Sequence, residues 1–252
     1  MSALDAKRFH RPLHDDVADR LGQDIVLGRY APGQRLPTEN EGADRFGISR
    51  NSYREAMRVL AAKGLLISRP KIGALVTPRS DWQLLDPDVL DWSLNGAPNR
   101  AYIRELFELR YIIEPAAAAL AARKRSDAQL ERMRVCLATM RDNTLADEIG
   151  RQADRLFHTT LMESTGNAVL QSLSDGIITA SLWSTSFLHR RPKTDARRDP
   201  IPDHARVWQA IADQDAEAAR HATVTLLLLA QDDIRAATLS AETQDAPQSV
   251  FP

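Results

Sequence analysis

The sequence predicts a mainly helical protein in two domains with one small β-hairpin, and three observations carry that reading. Residues 28–76 pack a turn, two short helical patterns and a Gly-containing hairpin into one stretch. From Asn99 onward, apolar residues recur at helical spacing between short breaks, with no alternation of period two. Charge divides the chain in the same way: residues 1–78 hold 13 Lys or Arg against 9 Asp or Glu, and the remainder holds 20 against 25. A chain of 252 residues has room for two modest domains, each with its own core. Its 43% hydrophobic and 27% charged composition is that of an ordinary globular protein.

Each element follows from local signals. Residues 1–9 lack periodicity and read as a loose arm. Leu13, Val17, Leu21 and Ile25 fall at four-residue intervals, which predicts an amphipathic helix ending near Gly28. Pro32-Gly33 makes a turn, and Thr38 with Glu41 is a capping box that opens the next helix. Gly47 breaks the pattern, and Ser49 caps a third helix with Arg50, Asn51, Ser52 and Arg54 in its first turns. Those side chains donate to phosphates and base edges, while Tyr53, Ala56, Met57, Leu60 and Ala61 face inward. Leu65–Ile67 and Ala74–Val76 flank a turn and are the only predicted strands. This order is what a winged helix-turn-helix needs to place a helix in a DNA major groove. The basic half of the chain is the half with that helix, as phosphate neutralisation requires.

Pro78 closes this predicted DNA-binding domain, residues 10–78. Residues 79–98, with Trp82, Leu85, Val89, Leu90 and Trp92, are too apolar for a flexible tether and predict an ordered connector with a short helix from Asp86-Pro87. An all-helical bundle follows over residues 99–240. Its predicted helices are Asn99–Arg123, containing Pro115; Ser126 to about Leu145, opened by Ser126 and Gln129; Ala146–Ser164; Asn167–His189; Asp203–Ala212; and Asp215–Ala237. Arg190–Pro202 reads as a loop, and 241–252 as a disordered tail. The single cysteine, Cys136, suits a buried apolar position and a reducing cytoplasm. The N-terminus lacks an apolar signal core, and Leu226–Leu229 is too short to span a bilayer, so a cytoplasmic protein without a membrane partner is expected.

Within the bundle, Asp154 and His158 are four residues apart and project from one helix face. Carboxylate and neutral imidazole suit zinc, nickel or manganese, and His204 is a third candidate ligand. Spacing alone is a weak signal here, because such residues are more often surface or core. A hydrolytic zinc centre is the alternative use of the three; it needs a general base beside the metal-bound water, and no H-E-x-x-H pattern accompanies them.

The motifs G-x-Y-x-P-G-x-x-L-P-x-E, F-G-I-S-R-x-x-x-R-E-A and L-x-x-x-G-L-L, followed by a Gly-containing hairpin, resemble the GntR family of bacterial transcription regulators. The resemblance implies operator contacts from Ser49, Arg50, Asn51 and Arg54, and from a wing around Arg69, Lys71 and Gly73. Asn40 stands where members often carry arginine, and Gly42 where a leucine usually packs. Glycine inside a helix costs about 0.5–1 kcal/mol relative to alanine, so a less rigid domain is expected. E-L-R-x-x-I-E-P from Glu108's neighbourhood, D-x-x-F-H, G-N and D-H-A are similar to the helical ligand-binding (FCD-type) domain of the FadR subgroup.

That second resemblance implies a divalent metal, zinc or nickel, held by Asp154, His158 and His204. The fourth, histidine position of the subgroup falls on Leu226; His221 lies five residues earlier, about 140° round a helix, so a three-ligand site is expected. The resemblance also turns Arg110 toward a cavity suited to a small organic acid, with an Arg110–Glu114 surface pair as the other reading. Trp183 and Thr185 are the expected contacts to a polyhydroxy chain. The tryptophan-rich connector and the missing histidine are similar to the sugar-acid-sensing members, which implies a homodimeric repressor released from operator DNA by a hexonate such as galactonate.

Overall fold

A computed structural model describes residues 12–95, 100–189 and 198–244. The chain divides into two compact units, residues 1–99 and 100–252. In the first, α1 (Leu13–Val26), α2 (Glu39–Phe46) and α3 (Arg50–Ala62) precede an antiparallel hairpin of β1 (Leu66–Arg69) and β2 (Gly73–Val76). The register pairs Leu66 with Val76 and Arg69 with Gly73. The strands are set by one buried side chain at each base, Leu66 and Val76, and by a turn in which Ile72 N–H donates to the Arg69 carbonyl at 3.2 Å. Residues 33–36 lie along the other edge of β2, through Leu36 N–H to the Ala74 carbonyl and Val76 N–H to the Gln34 carbonyl, both at 3.0 Å.

Caps set the helix starts as the sequence predicts. Thr38 and Glu41 form the reciprocal box at α2, and Ser49 Oγ accepts from Ser52 N–H at 3.1 Å to open α3. α1, α3 and the hairpin close over Leu21, Ile25, Leu36, Tyr53, Leu60 and Leu65, all at most 1% exposed.

Gly42 has a different role from the one expected. A Cβ at this position would lie 2.2 Å from the Tyr53 ring, so the ring fills the space that a leucine side chain would occupy. Tyr53 is fully buried, stacks 6.1 Å from Phe46 and donates its hydroxyl to the Pro37 carbonyl at 3.1 Å. Burial pushes its phenol up to about 12. The missing side chain is replaced by a larger one from α3, so the apolar contact of a leucine is supplied from the neighbouring helix.

The connector folds into this same unit. A short 3₁₀ turn (Arg79–Asp81) leads to α4 (Pro87–Asn95). Trp92 of α4 lies on Gly22 of α1, where a Cβ would approach its ring to 2.4 Å, and its indole N–H donates to Asp19 at 3.2 Å. Lys63, the C-cap of α3, holds Asp86 and Asp88 at 2.8 Å each. Gln83 donates from its side chain to the Ala62 carbonyl at 2.7 Å.

The second unit comprises α5 (Arg100–Lys124), α6 (Asp127–Asn143), α7 (Glu148–Ser164), α8 (Ala168–Ser172), α9 (Ser174–His189), α10 (Ile201–Ala212) and α11 (Ala216–Gln244). α6 packs on α7, α5 and α10 pack on α11, and α7 contacts both α5 and α9. The buried alanines 117, 118, 119, 121 and 122 let α5 approach its neighbours closely, around a core of Met133, Met140, Phe157 and Ile211. Cys136 is buried there, as expected.

Three sequence expectations shift. The predicted helix 167–189 is two, broken at Leu173. α10 starts at Ile201 with Pro202 in its first turn, where a missing N–H costs nothing, so the predicted loop ends earlier; residues 190–197 of that loop lie outside the described residues. α11 continues to Gln244, into the segment expected to be a disordered tail. Residues 1–9 and 245–252, the expected arm and the rest of the tail, also lie outside the described residues.

Candidate functional site

Two sets of side chains stand out, one in each unit. In the first, the polar face of α3 presents Arg50, Asn51, Arg54 and Arg58 to solvent, while Tyr53, Ala56 and Leu60 anchor the opposite face. Asn51 accepts from the Arg54 guanidinium, whose Nε also lies 3.8 Å from Glu39. Arg69 and Lys71 are exposed at the tip of the hairpin, where Lys71 adopts a left-handed φ of 65° and Gly73 a φ of 102°. Ser49 uses its hydroxyl to cap α3. A capped, inward-anchored helix with arginines outward and a basic hairpin beyond it is built to meet a polyanion.

In the second unit, α7 and α10 bring Asp154, His158 and His204 together although 46 positions separate the two histidines. All three are buried, at 1%, 8% and 5% exposure. The two imidazole Nε2 atoms lie 3.3 Å apart, and Asp154 Oδ1 lies 3.1 Å from His204 Nε2 and 3.5 Å from His158 Nε2. Ligand atoms on one ion at about 2.1 Å are separated by about 3.0 Å at octahedral and about 3.4 Å at tetrahedral angles. The observed triangle matches such a face.

The polar bookkeeping agrees with a metal. Asp154 Oδ1 is buried and lies close to both imidazoles, yet no hydrogen bond reaches it in good geometry. His204 Nδ1 is 2.9 Å from the Pro200 carbonyl, which can only accept, so Nδ1 carries a proton and Nε2 is the ring atom that faces the centre. Phe157 packs edge-on against both rings, at 5.7 and 5.5 Å, and fixes their planes. Burial raises the Asp154 carboxyl, but the two imidazoles beside it reverse this and hold it well below the usual carboxylate range. Burial lowers His204; the Asp154 carboxylate, the Pro200 carbonyl and the charge of Glu114 together bring it above the ordinary imidazole value. The donor set therefore fits a divalent ion of the zinc or nickel type.

His221 does not join this cluster and is exposed on α11, whereas Leu226 is buried in the core. Arg110 and Glu114 do form a pair, at 2.6 Å, but as a buried one rather than on a surface face. Arg110 also donates from Nη2 to Ser181 Oγ of α9 at 3.1 Å. Glu114 and Ser181 line a small recess with His158, and Arg110 lines an adjoining crease with Trp183. Trp183 is 8% exposed and packs 4.9 Å from Phe187; Thr185 is half-buried, its hydroxyl 3.5 Å from the Ser181 carbonyl. The recess beside His158 is about 10 Å³, room for a single water. A larger groove of about 370 Å³, between α5 and α11, is lined by Arg100, Arg104, Asp232 and Arg235 and shares no residue with the Asp154 cluster. The sequence does not single out Ser181, which is one of several Ser and Thr residues on α9.

An exposed, arginine-bearing helix with a basic wing, joined in one chain to a helical unit with a buried Asp-His-His cluster, has the build of a DNA-binding regulator with a second, helical domain. Residues 13–76 match the model of bacterial regulatory proteins of the gntR family, and residues 105–228 match the FCD domain. The Escherichia coli galactonate operon transcriptional repressor is 35% identical over 215 residues, covering 84% of this chain and 93% of that protein. A putative L-lactate dehydrogenase operon regulatory protein of Escherichia coli is 31% identical over 222 residues, 86% of this chain and 84% of that protein. Among solved structures, that of Lar, described as controlling the Listeria monocytogenes agr system, superimposes with a TM-score of 0.63 at 19% identity, covering 90% of this chain and 98% of that one; it shows the fold alone. The chain belongs to the GntR family and carries an FCD domain: it is a transcription regulator and not an enzyme. Among the described residues, no helix is long and apolar enough to cross a membrane.

Proposed function

We propose that this regulator is a cytoplasmic homodimeric repressor of a sugar-acid catabolic operon, released from its operator by a six-carbon hydroxy acid such as galactonate. The observation that carries the reading is the convergence of Asp154, His158 and His204 on one point, with Arg110 and Trp183 in the adjoining crease. A divalent ion held by the three would accept a carboxylate and its neighbouring hydroxyl, while Arg110 has donors beyond the two engaged by Glu114 and Ser181. Galactonate and lactate, which appear in the names of two relatives, are both 2-hydroxy acids, the class that such a chelate takes.

On the DNA side, Ser49, Arg50, Asn51 and Arg54 would read base edges and phosphates, with Arg69, Lys71 and Gly73 following the backbone from the wing. One winged helix reads few base pairs, so two copies on a palindrome supply the affinity. A recess of about 10 Å³ cannot hold a hexonate as it stands, so binding must part α9 from α5 and α7. A ligand that binds only the opened form shifts the equilibrium by its differential affinity, which supplies a signal for release. Thr185, with its hydroxyl near the Ser181 carbonyl, would enter contact only after that movement.

The test is a gel shift on the DNA upstream of the protein's own gene with a panel of hexonates and shorter 2-hydroxy acids. A shifted band that one acid releases is the expected result. No shift under any condition would refute the operator assignment, and a shift insensitive to every acid would refute the effector assignment. Sedimentation of the full chain is expected to give a dimer, and a monomer at micromolar concentration would contradict the two-copy arrangement.

A further inference from the structure

The buried groups around the cluster carry unequal charge. Asp154 and Glu114 bring two carboxylates, Arg110 brings one guanidinium, and all three are at most 5% exposed. Histidines acting as ligands are neutral, so the cavity as built holds one surplus negative charge. A divalent ion reverses this to one surplus positive charge. Glu114 decides that sum: it lines the recess with His158, and its ion pair with Arg110 at 2.6 Å removes the guanidinium charge that an incoming acid would otherwise meet.

Resting on the metal-centred reading above, we infer that Glu114 sets the effector's charge, so that the site accepts acids with one carboxylate and rejects those with two. A monoanion brings the loaded cavity to neutrality. A dianion of the same length leaves a buried, uncompensated negative charge, which a low-dielectric interior penalises heavily. Without the ion the cavity is already negative, and neither acid is accepted. The ion is thus the source of attraction, and Glu114 is the counterweight that limits it to one carboxylate. Asp154 cannot play this part, because its carboxylate belongs to the ligand triangle. Asp232 cannot either, because it lines the separate groove between α5 and α11.

The experiment compares galactonate with galactarate, which share a six-carbon hydroxylated chain and differ in the second carboxylate. Calorimetric titration uses full-length, zinc-loaded wild type, Glu114→Gln and Glu114→Asp; a competing chromophoric chelator gives zinc affinity in parallel. Wild type is expected to prefer the monoacid by about tenfold or more. Glu114→Gln should move the preference toward the diacid by at least about tenfold and weaken zinc binding, while Glu114→Asp keeps both wild-type signs. Equal or tighter binding of galactarate by wild type overturns the inference, whether or not the glutamine variant folds. An unchanged preference in folded Glu114→Gln overturns it too, and leaves the sensor reading standing. Binding of neither acid to zinc-loaded wild type refutes the sensor reading and this inference together.

Discussion

The exposed arginine face of α3 and the buried Asp154 cluster are built in opposite ways. Arg50, Asn51 and Arg54 lie within five consecutive residues of α3, are exposed, and need only an anchored opposite face to be presented. Asp154, His158 and His204 come from two helices distant in sequence, are buried, and rest on Phe157 and the Pro200 carbonyl for their placement. An exposed face of this kind is local, set by one helix and its anchor. A buried centre is a tertiary product, assembled only when distant helices pack together. Mutations should therefore separate the two, each failing in its own way.

The largest expected effect comes from Gly42→Leu. Its side chain would have to share the space of the Tyr53 ring, and overpacking of that kind costs about 3 kcal/mol, enough to unfold the winged helix ahead of the bundle. Calorimetry should show the first transition lost or lowered while the second stays, together with loss of operator binding. A normal first transition would mean that Tyr53 has room to move aside. Next in size are Arg50→Ala and Arg54→Ala, each expected to leave the melting temperature unchanged. A base-edge contact is worth about 1–3 kcal/mol, so at least one of the pair should lose operator affinity about tenfold or more. Unchanged affinity in both would remove α3 as the reader. The smallest effect is expected from His221→Ala: this side chain is exposed and stands apart from the cluster, so metal content should equal that of wild type. A fall in bound metal would show that α11 shifts register to supply a fourth ligand.

The same contrast explains what the sequence reveals. The caps at Thr38, Ser49 and Ser126, the hairpin and the reader face are written in contiguous residues, and the structure reproduces them within a residue or two. The interruption at Leu173 and the extension of α11 to Gln244 are not, because neither Gly nor Pro marks them. Gly42 shows the limit of a single-helix reading. Propensity makes it a weakness, whereas the fold pairs it with an aromatic eleven positions later, a match that no single-helix pattern contains. At the ligand cluster, four-residue spacing places Asp154 beside His158, but no spacing rule joins His204, 46 positions on, to that pair; residue type offers it as a candidate and the family resemblance supports it. Ser181 and the burial of Glu114 emerge only when α5, α7 and α9 are assembled.

The most direct test of the account is operator release measured on His158→Ala beside wild type, with metal content determined on the same samples. His158 lies in the second unit and takes no part in the winged helix, so the variant should bind operator DNA as wild type does, carry no divalent metal, and hold the DNA at galactonate concentrations that release wild type. A folded, metal-free variant that still releases DNA like wild type would contradict the metal-centred sensor.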